Sequence, residues 1–87
     1  MDKYCLYIVK CSDQTLYTGI AKDANKRLVE HNSSKLGAKY TRGRRPVELV
    51  YVKKYKNRSL ASKQESKIKK LSRVEKLKLV SLVFKIK

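Results

Sequence analysis

The segment 4-YCLYIVKCSDQTLYTGI-20 contains two runs of β-forming residues on either side of a short polar stretch. The first run covers residues 4–10 and the second covers residues 16–20, and both are rich in tyrosine and β-branched residues. Residues 12–15 (Ser-Asp-Gln-Thr) favour local bonds between side chains and backbone, which is typical of a turn. The segment therefore predicts a β-hairpin near the start of the chain.

The chain after this hairpin predicts a helix, a loop and a third strand. Asp23 is a suitable N-cap for a helix that ends near His31. Residues 32–45 are polar and basic, contain two glycines, and are predicted to form a loop, with a helical turn within it as the alternative. Residues 47–52 are nearly all apolar, which indicates a third strand that extends the sheet.

The last third of the chain predicts two further helices. Ser59 is a candidate N-cap for a helix that ends at Leu71. Ser72 and Glu75 have the Ser-x-x-Glu spacing of a capping box, so the second helix is expected to begin there. The order β-β-α-loop-β-α-α gives a small sheet that the helices must cover. We therefore expect an α+β fold that forms one domain over residues 1–87.

The net charge is the strongest feature of the composition. Lys and Arg number 23 against 7 Asp and Glu, which gives +16, and the part from Lys53 onward carries 13 basic and 2 acidic residues. A positive electrostatic field of this kind attracts polyanions, and it indicates nucleic acid as a partner. The alternatives are a solubilising surface, which would mix both signs, and an anionic membrane surface contacted by residues 77–84. Nucleic acid fits this charge pattern better than either.

Cysteines and apolar runs exclude several classes of protein. No run of 18 apolar residues exists, so no transmembrane helix is predicted, and the N-terminus does not have the pattern of a signal peptide. Cys5 and Cys11 share one face of the first strand but lie too far apart along it for a disulfide. We expect them to be small buried thiols in a reducing cytoplasm. Two cysteines and one histidine also argue against a zinc site.

Four residues of the hairpin and first helix form a candidate site. Tyr7 and Tyr17 lie on the two strands and are side by side if the hairpin pairs them in register. Arg27 and His31 are i,i+4 neighbours at the edge of the apolar stripe of the helix. Each has an ordinary structural alternative, namely satisfied core tyrosines and a solvated helix edge.

One glutamate of the second predicted helix, which is basic, completes the candidate site. Ala61, Glu65 and Ile68 share one face of the predicted helix, so Glu65 faces inward or into a cleft, where an unpaired carboxylate is costly. Its structural alternative is an i,i+4 ion pair with Lys69. Glu75 is already explained by the capping box, which leaves Glu65 as the better functional candidate.

These residue types suit cleavage of a phosphodiester bond. Such hydrolysis needs a base for water and a cation for the charge of the transition state. Arg27 offers a planar, permanently charged fork for phosphate oxygens. Glu65 is a ligand for Mg²⁺, which takes one or two carboxylates and keeps several waters. A tyrosine becomes a plausible base only in a strongly positive site, or if it passes its proton to His31.

The ordered set of residues resembles the GIY-YIG nuclease domain, which holds two short tyrosine motifs on a hairpin. The sequence 5-CLY-7 stands in the place of the first motif and 17-YTG-19 in the place of the second. Arg27, His31 and Glu65 match the arginine, the frequent histidine and the metal-binding glutamate of that family. The segment 38-AKYTRGRRPVELV-50 is similar to one in small stand-alone bacterial members, the uncharacterised UPF0213-like proteins.

The resemblance implies a three-stranded antiparallel sheet flanked by helices and a metal-dependent endonuclease for DNA. Tyr7 would activate water, Tyr17 would position the water or phosphate, Arg27 would bind the transition state, and Glu65 would hold one Mg²⁺ or Mn²⁺ ion. The implied role is structure-specific cleavage or DNA repair in the bacterial cytosol or nucleoid. The alternatives are a nucleic-acid-binding module without useful turnover and a nuclease subunit of a complex with little activity alone.

A basic loop with one aromatic residue is the candidate nucleic-acid contact. Its members, which suit phosphate contact and base stacking, are Lys39, Tyr40, Arg42, Arg44 and Arg45. The alternative is a mobile charged loop. The sequence does not decide whether the substrate is DNA or RNA, or what shape it has. It also does not decide whether a protein partner supplies the specificity.

Overall fold

The structure is a computed structural model that describes residues 3–33, 41 and 43–85. Three strands and three helices follow one another in the predicted order within these residues. Their bounds are β1 Tyr4–Lys10, β2 Leu16–Ala21, α1 Ala24–Ser33, β3 Glu48–Tyr55, α2 Arg58–Lys69 and α3 Arg73–Lys85. The predicted α+β fold is therefore confirmed.

β1 is the central strand of an antiparallel sheet with the order β2-β1-β3. In the β1–β2 ladder Tyr7 pairs with Gly19, and Val9 pairs with Tyr17. The β1–β3 ladder shifts register between Ile8 and Val9. The hairpin and the antiparallel sheet that the sequence indicated are both present.

The alternation of side chains along β1 divides the core into two layers. Cys5, Tyr7 and Val9 point to one face, where Ala24 and Leu28 of α1 pack on them. Leu6 and Ile8 point to the opposite face, in a cluster with α2 and α3 that includes Ile68 and Val80. The free thiols of Cys5 and Cys11 are both buried in the first layer, as expected.

Two predicted helix caps are present. The Asp23 carboxylate accepts a hydrogen bond of 3.0 Å from the backbone N–H of Lys26 and so caps α1. Ser72 and Glu75 make the reciprocal bonds of a capping box, with Ser72 N donating to Glu75 Oε1 at 3.0 Å and Glu75 N to Ser72 Oγ at 3.2 Å. α3 therefore begins where the sequence indicated.

The predicted bounds of α2 and β3 were wrong. Asn57, not Ser59, caps α2, because its extended backbone directs Oδ1 to the N–H of Leu60 at 3.0 Å. The helix also ends at Lys69 rather than Leu71. β3 continues to Tyr55 beyond the apolar run. The backbone of the exposed lysines pairs with β1 as well as the backbone of apolar residues does. Among the described residues, no helix is both long and apolar enough to span a membrane.

Candidate active site

The hairpin places both tyrosines on the face of the sheet that α1 covers. Tyr7 lies opposite Gly19, whose missing side chain leaves room for the phenol ring. Tyr17 pairs with Val9, so the two tyrosines are diagonal neighbours and not directly opposite each other. Tyr7 is 2% exposed, whereas Tyr17 is only partly buried. The deeper hydroxyl therefore belongs to Tyr7.

His31 lies between the two tyrosines and is fully buried. Its Nε2 is 2.9 Å from the Tyr7 hydroxyl, within hydrogen-bond distance. The imidazole centroid is 5.8 Å from the Tyr7 ring and 5.4 Å from the Tyr17 ring, which it meets edge on. The sequence placed His31 at the edge of the apolar stripe; the structure places it inside the core.

Arg27 brings a positive charge to the same hydroxyl. Its guanidinium donates to Glu30 Oε1 at 2.9 Å and also lies close enough to Tyr7 to lower the phenol pKa by a hydrogen bond. Burial acts in the opposite direction and outweighs this effect, so the pKa of Tyr7 is raised above 10.0. The resting Tyr7 is therefore a neutral phenol at physiological pH.

The surroundings of His31 favour its neutral form. Burial has the largest effect and lowers the His31 pKa below 6.5, and the charges of Arg27 and Arg45 lower it further, while Glu30 opposes them. A neutral imidazole has one N–H donor and one accepting nitrogen. His31 can therefore accept a proton at neutral pH.

Glu65 lies on α2, which packs on the face of the sheet opposite to α1. Its carboxylate is near enough to contribute to the raised pKa of Tyr7. Glu65 also pairs with Lys69, with 3.3 Å between Oε2 and Nζ, and the two side chains are 22% and 53% exposed. The ion pair that the sequence offered as the structural alternative is thus present.

The Glu65 carboxylate alone fits a metal ion that is held by one protein ligand. In the part of the chain that the structure describes, no three His, Cys, Asp or Glu side chains converge on a common point. Mg²⁺ needs no such cluster, since it binds through one or two carboxylates with waters and substrate phosphates. The Lys69 ammonium pairs with this carboxylate, and a bound cation would compete with it for Oε2.

The basic loop makes intramolecular contacts in its described part. Arg44 Nε donates to Asp13 Oδ2 in the hairpin turn at 3.0 Å. Arg45 Nε donates to the backbone carbonyl of His31. Arg44 therefore attaches to the hairpin turn and Arg45 to the helix that carries His31, roles that the sequence did not indicate. The other three predicted contact residues, Lys39, Tyr40 and Arg42, lie outside the described residues.

Two polar residues of the site were missed in the sequence. Thr41 is fully buried, and its Oγ1 lies 2.8 Å from His31 Nδ1. The Asn32 amide clamps the backbone of Val47, donating to its carbonyl at 2.9 Å and accepting from its N–H at 2.7 Å. No local pattern marks either residue, although Thr41 does fall within the segment 38–50 that resembles other proteins.

Comparisons of sequence match nearly the whole chain to known proteins. A model of the GIY-YIG catalytic domain matches residues 3–78. A UPF0213 protein of Staphylococcus epidermidis strain RP62A is 56% identical over 80 residues, which cover 92% of this chain and 96% of that protein. A UPF0213 protein of Syntrophus aciditrophicus is 54% identical and covers 92% of both chains.

Two solution NMR structures have the same fold. A UPF0213 protein from Bacillus halodurans is 41% identical, with a TM-score of 0.60 over 92% of this chain and 84% of that one. A protein from E. faecalis is 37% identical, with a TM-score of 0.64 over 100% of this chain and 91% of that one. The similarity therefore extends across nearly the whole chain in both sequence and structure.

Proposed function

This chain belongs to the GIY-YIG family, and from that membership we propose that it is a metal-dependent endonuclease that hydrolyses phosphodiester bonds in DNA. The family implies a nucleic-acid substrate, and its nucleases generally use a divalent metal ion. The observation that supports the proposal most is the buried contact of 2.9 Å between the Tyr7 hydroxyl and His31 Nε2, beside Arg27. The free thiols of Cys5 and Cys11 are consistent with action in the reducing bacterial cytosol.

Tyr7 and His31 together act as the general base of the proposed reaction. Water must lose a proton as its oxygen attacks phosphorus and the bond from phosphorus to the leaving oxygen breaks. Because the pKa of Tyr7 is raised, a resting phenolate is not the base. Tyr7 instead receives the proton of water while its own proton passes to His31 Nε2, which is unprotonated at neutral pH.

The other site residues bind the phosphate and its charge. Arg27 offers N–H donors to phosphate oxygens from a side chain that is 27% exposed, and Tyr17 positions the phosphate or the attacking water. Glu65 would hold one Mg²⁺ or Mn²⁺ ion, which when bound supplies positive charge for the transition state and the leaving oxygen. This assignment gives each predicted residue one chemical task.

The basic loop is the proposed contact to the DNA backbone. The charge of +16 supports binding that depends on phosphates rather than on base sequence. Arg44 retains a partly exposed side chain, at 38%, while it pairs with Asp13. The remaining proposed contacts of this loop are Lys39, Tyr40, Arg42 and Arg45.

A cleavage assay with a matched pair of glutamate variants tests the proposal. Purified protein is incubated with linear, single-stranded, flap and junction DNA and with the equivalent RNAs, with and without Mg²⁺ or Mn²⁺. Glu65→Gln keeps the shape and removes the charge, so we expect cleavage to be lost and binding to be kept or increased. Glu75→Gln is the control, because glutamine can still close the capping box. Equal cleavage by Glu65→Gln would rule out Glu65 as the metal ligand.

A nuclease subunit with little activity alone is the second candidate. It is favoured by the burial of Tyr7, since a side chain that is only 2% exposed gives the attacking water and the phosphate little access to its hydroxyl. In this case the parent protein would bind the substrates and leave all of them uncut under every metal condition. The same assay therefore separates the two candidates.

A further inference from the structure

His31 has a neighbour at each ring nitrogen, and the two neighbours have different chemistry. Nε2 lies 2.9 Å from the Tyr7 hydroxyl, and Nδ1 lies 2.8 Å from Thr41 Oγ1. All three side chains are almost completely buried, at 2% exposure for Tyr7 and 0% for His31 and Thr41. Bulk solvent therefore competes little for the two hydrogen bonds of His31, and the protein itself must fix which nitrogen carries the proton.

The groups around Tyr7 determine which nitrogen of His31 carries the proton. Arg27 has only donors, so its interaction with the Tyr7 oxygen leaves the Tyr7 O–H to donate elsewhere. Within the described residues, the acceptor in hydrogen-bond range of that O–H is His31 Nε2. Nε2 must then be unprotonated, and the N–H of the neutral ring lies on Nδ1, facing Thr41 Oγ1.

We propose that Thr41 is a positioning residue that accepts the Nδ1–H of His31 and thereby holds the Nε2 lone pair against the Tyr7 hydroxyl. The inference rests on the proposed function, in which Nε2 takes the proton of Tyr7. Thr41 touches neither water nor phosphate in this role and acts through His31. Without its hydroxyl, Nδ1–H would lose its acceptor, and the tautomer with the proton on Nε2 would be favoured.

The fold holds Thr41 at the position that this role needs. Its backbone carbonyl accepts a hydrogen bond of 3.0 Å from the N–H of Arg44. The Arg44 carbonyl accepts from Ser12 N at 2.9 Å, and its side chain pairs with Asp13. Thr41 is thus connected through Arg44 to the β1–β2 turn, on the same sheet that carries Tyr7.

The tautomer can be measured directly, because His31 is the only histidine of the chain. In ¹⁵N NMR spectra of the imidazole, the protonated and the accepting nitrogens have different shifts and different couplings to the ring protons. We expect the unmodified protein at neutral pH to show the proton on Nδ1. A proton on Nε2 in the unmodified protein would overturn the proposal without any variant having to fold.

Two substitutions test the role of the Thr41 hydroxyl. Thr41→Val replaces the hydroxyl by a methyl group of similar size, and we expect the proton to move to Nε2. Cleavage should fall on the order of 10- to 100-fold, by analogy with the loss seen when the partner that orients a metal-bound histidine is removed. Thr41→Ser keeps the hydroxyl and should restore both the Nδ1–H signal and most of the rate. A folded Thr41→Val with the tautomer and rate of the parent would contradict the proposal.

The outcomes separate this proposal from the proposed nuclease activity. If the parent shows Nδ1–H, Thr41→Val loses it, and no nucleic acid is cut by either protein, the Thr41 contact stands and the nuclease proposal fails. If the parent cuts DNA while its proton lies on Nε2, the nuclease proposal stands and the role of Thr41 fails. Melting curves of all three proteins show whether a lost rate reflects unfolding.

Discussion

Gly19 lies opposite Tyr7 in the β1–β2 ladder, and the tyrosine ring fills the space that a side chain at position 19 would need. A Cβ there would come within 2.6 Å of the Tyr7 hydroxyl oxygen and 2.8 Å of Cζ. The glycine has no positive φ, so backbone conformation is not the reason for it. The constraint at position 19 is the phenol of the candidate base.

We therefore expect Gly19→Ala to displace Tyr7. The substitution should lower the free energy of unfolding by about 1–3 kcal/mol, as overpacking does, and should remove most of the cleavage activity. Gly43→Ala is the matched control, because a Cβ at position 43 meets nothing within 4 Å. Urea unfolding and cleavage assays of both variants check this, and a Gly19→Ala protein with parental activity would contradict it.

Tyr7→Phe and Tyr17→Phe should differ in rate. Tyr7→Phe removes the hydroxyl that meets His31, so turnover should fall by roughly 10²–10⁴-fold, the usual contribution of a general base. It should also cost about 1–3 kcal/mol of stability, because it leaves a buried ring nitrogen without its partner. Tyr17→Phe should lose less of both. If Tyr7→Phe cleaves at the parental rate, Tyr7 is a structural residue.

The pH dependence should follow the lowered pKa of His31. Its neighbours that carry charge are Arg27 and Arg45, which lower the pKa together with burial, and Glu30, which raises it. The unfolded chain takes up a proton near pH 6.5 and the folded protein only at lower pH, so stability is lost as pH falls below about 6.5. Cleavage should decline when His31 itself becomes protonated, since Nε2 can then no longer accept.

An NMR titration of the single histidine, with melting temperatures at each pH, measures both effects. The ring signals should report a pKa below 6.5, and the melting temperature should fall between neutral pH and that pKa. A His31 that titrates at or above 6.5 would contradict the burial and the charges described here.

Asn32→Ala should destabilise the protein far more than Asn25→Ala. The Asn32 amide makes two bonds with the backbone of Val47, a residue that is 4% exposed, so its loss leaves buried backbone groups unpaired. The expected loss is about 1–3 kcal/mol. Asn25 lies on the same helix with an exposed side chain, and its replacement should change stability by less than about 0.5 kcal/mol. Chemical unfolding of the two variants gives the comparison, and equal losses would show that the clamp contributes little.

The hairpin and the caps of α1 and α3 could be predicted because their signals are local. The alternation of side chains in the strands is visible within a few residues. The caps at Asp23 and at Ser72 and Glu75 likewise join residues only three positions apart. The N-cap of α2 was misplaced because Asn57 and Ser59 are both good capping residues, and only the backbone angles at Asn57 decide between them. The end of β3 was missed because a strand can continue through polar residues while its ladder partner continues.

The candidate site could be predicted as a set of residues but not as a network. Tyr7 and His31 were expected near each other, but the burial of His31 depends on Thr41 and Arg45, which reach it from a distant loop. Arg44 and Arg45 were interpreted as contacts for phosphate from their charge alone. Their bonds to Asp13 and to the His31 carbonyl depend on how the loop packs, which no local pattern contains.

The central position of β1 determines how this protein loses activity on heating. Tyr7 belongs to a strand that is hydrogen-bonded on both edges and covered on both faces. Amide hydrogens on such a strand exchange with solvent only through the largest openings of a protein, so Tyr7 belongs to its slowest-exchanging part. Local fraying cannot release that side chain. Heat inactivation and global unfolding should consequently be a single event, with superimposable curves.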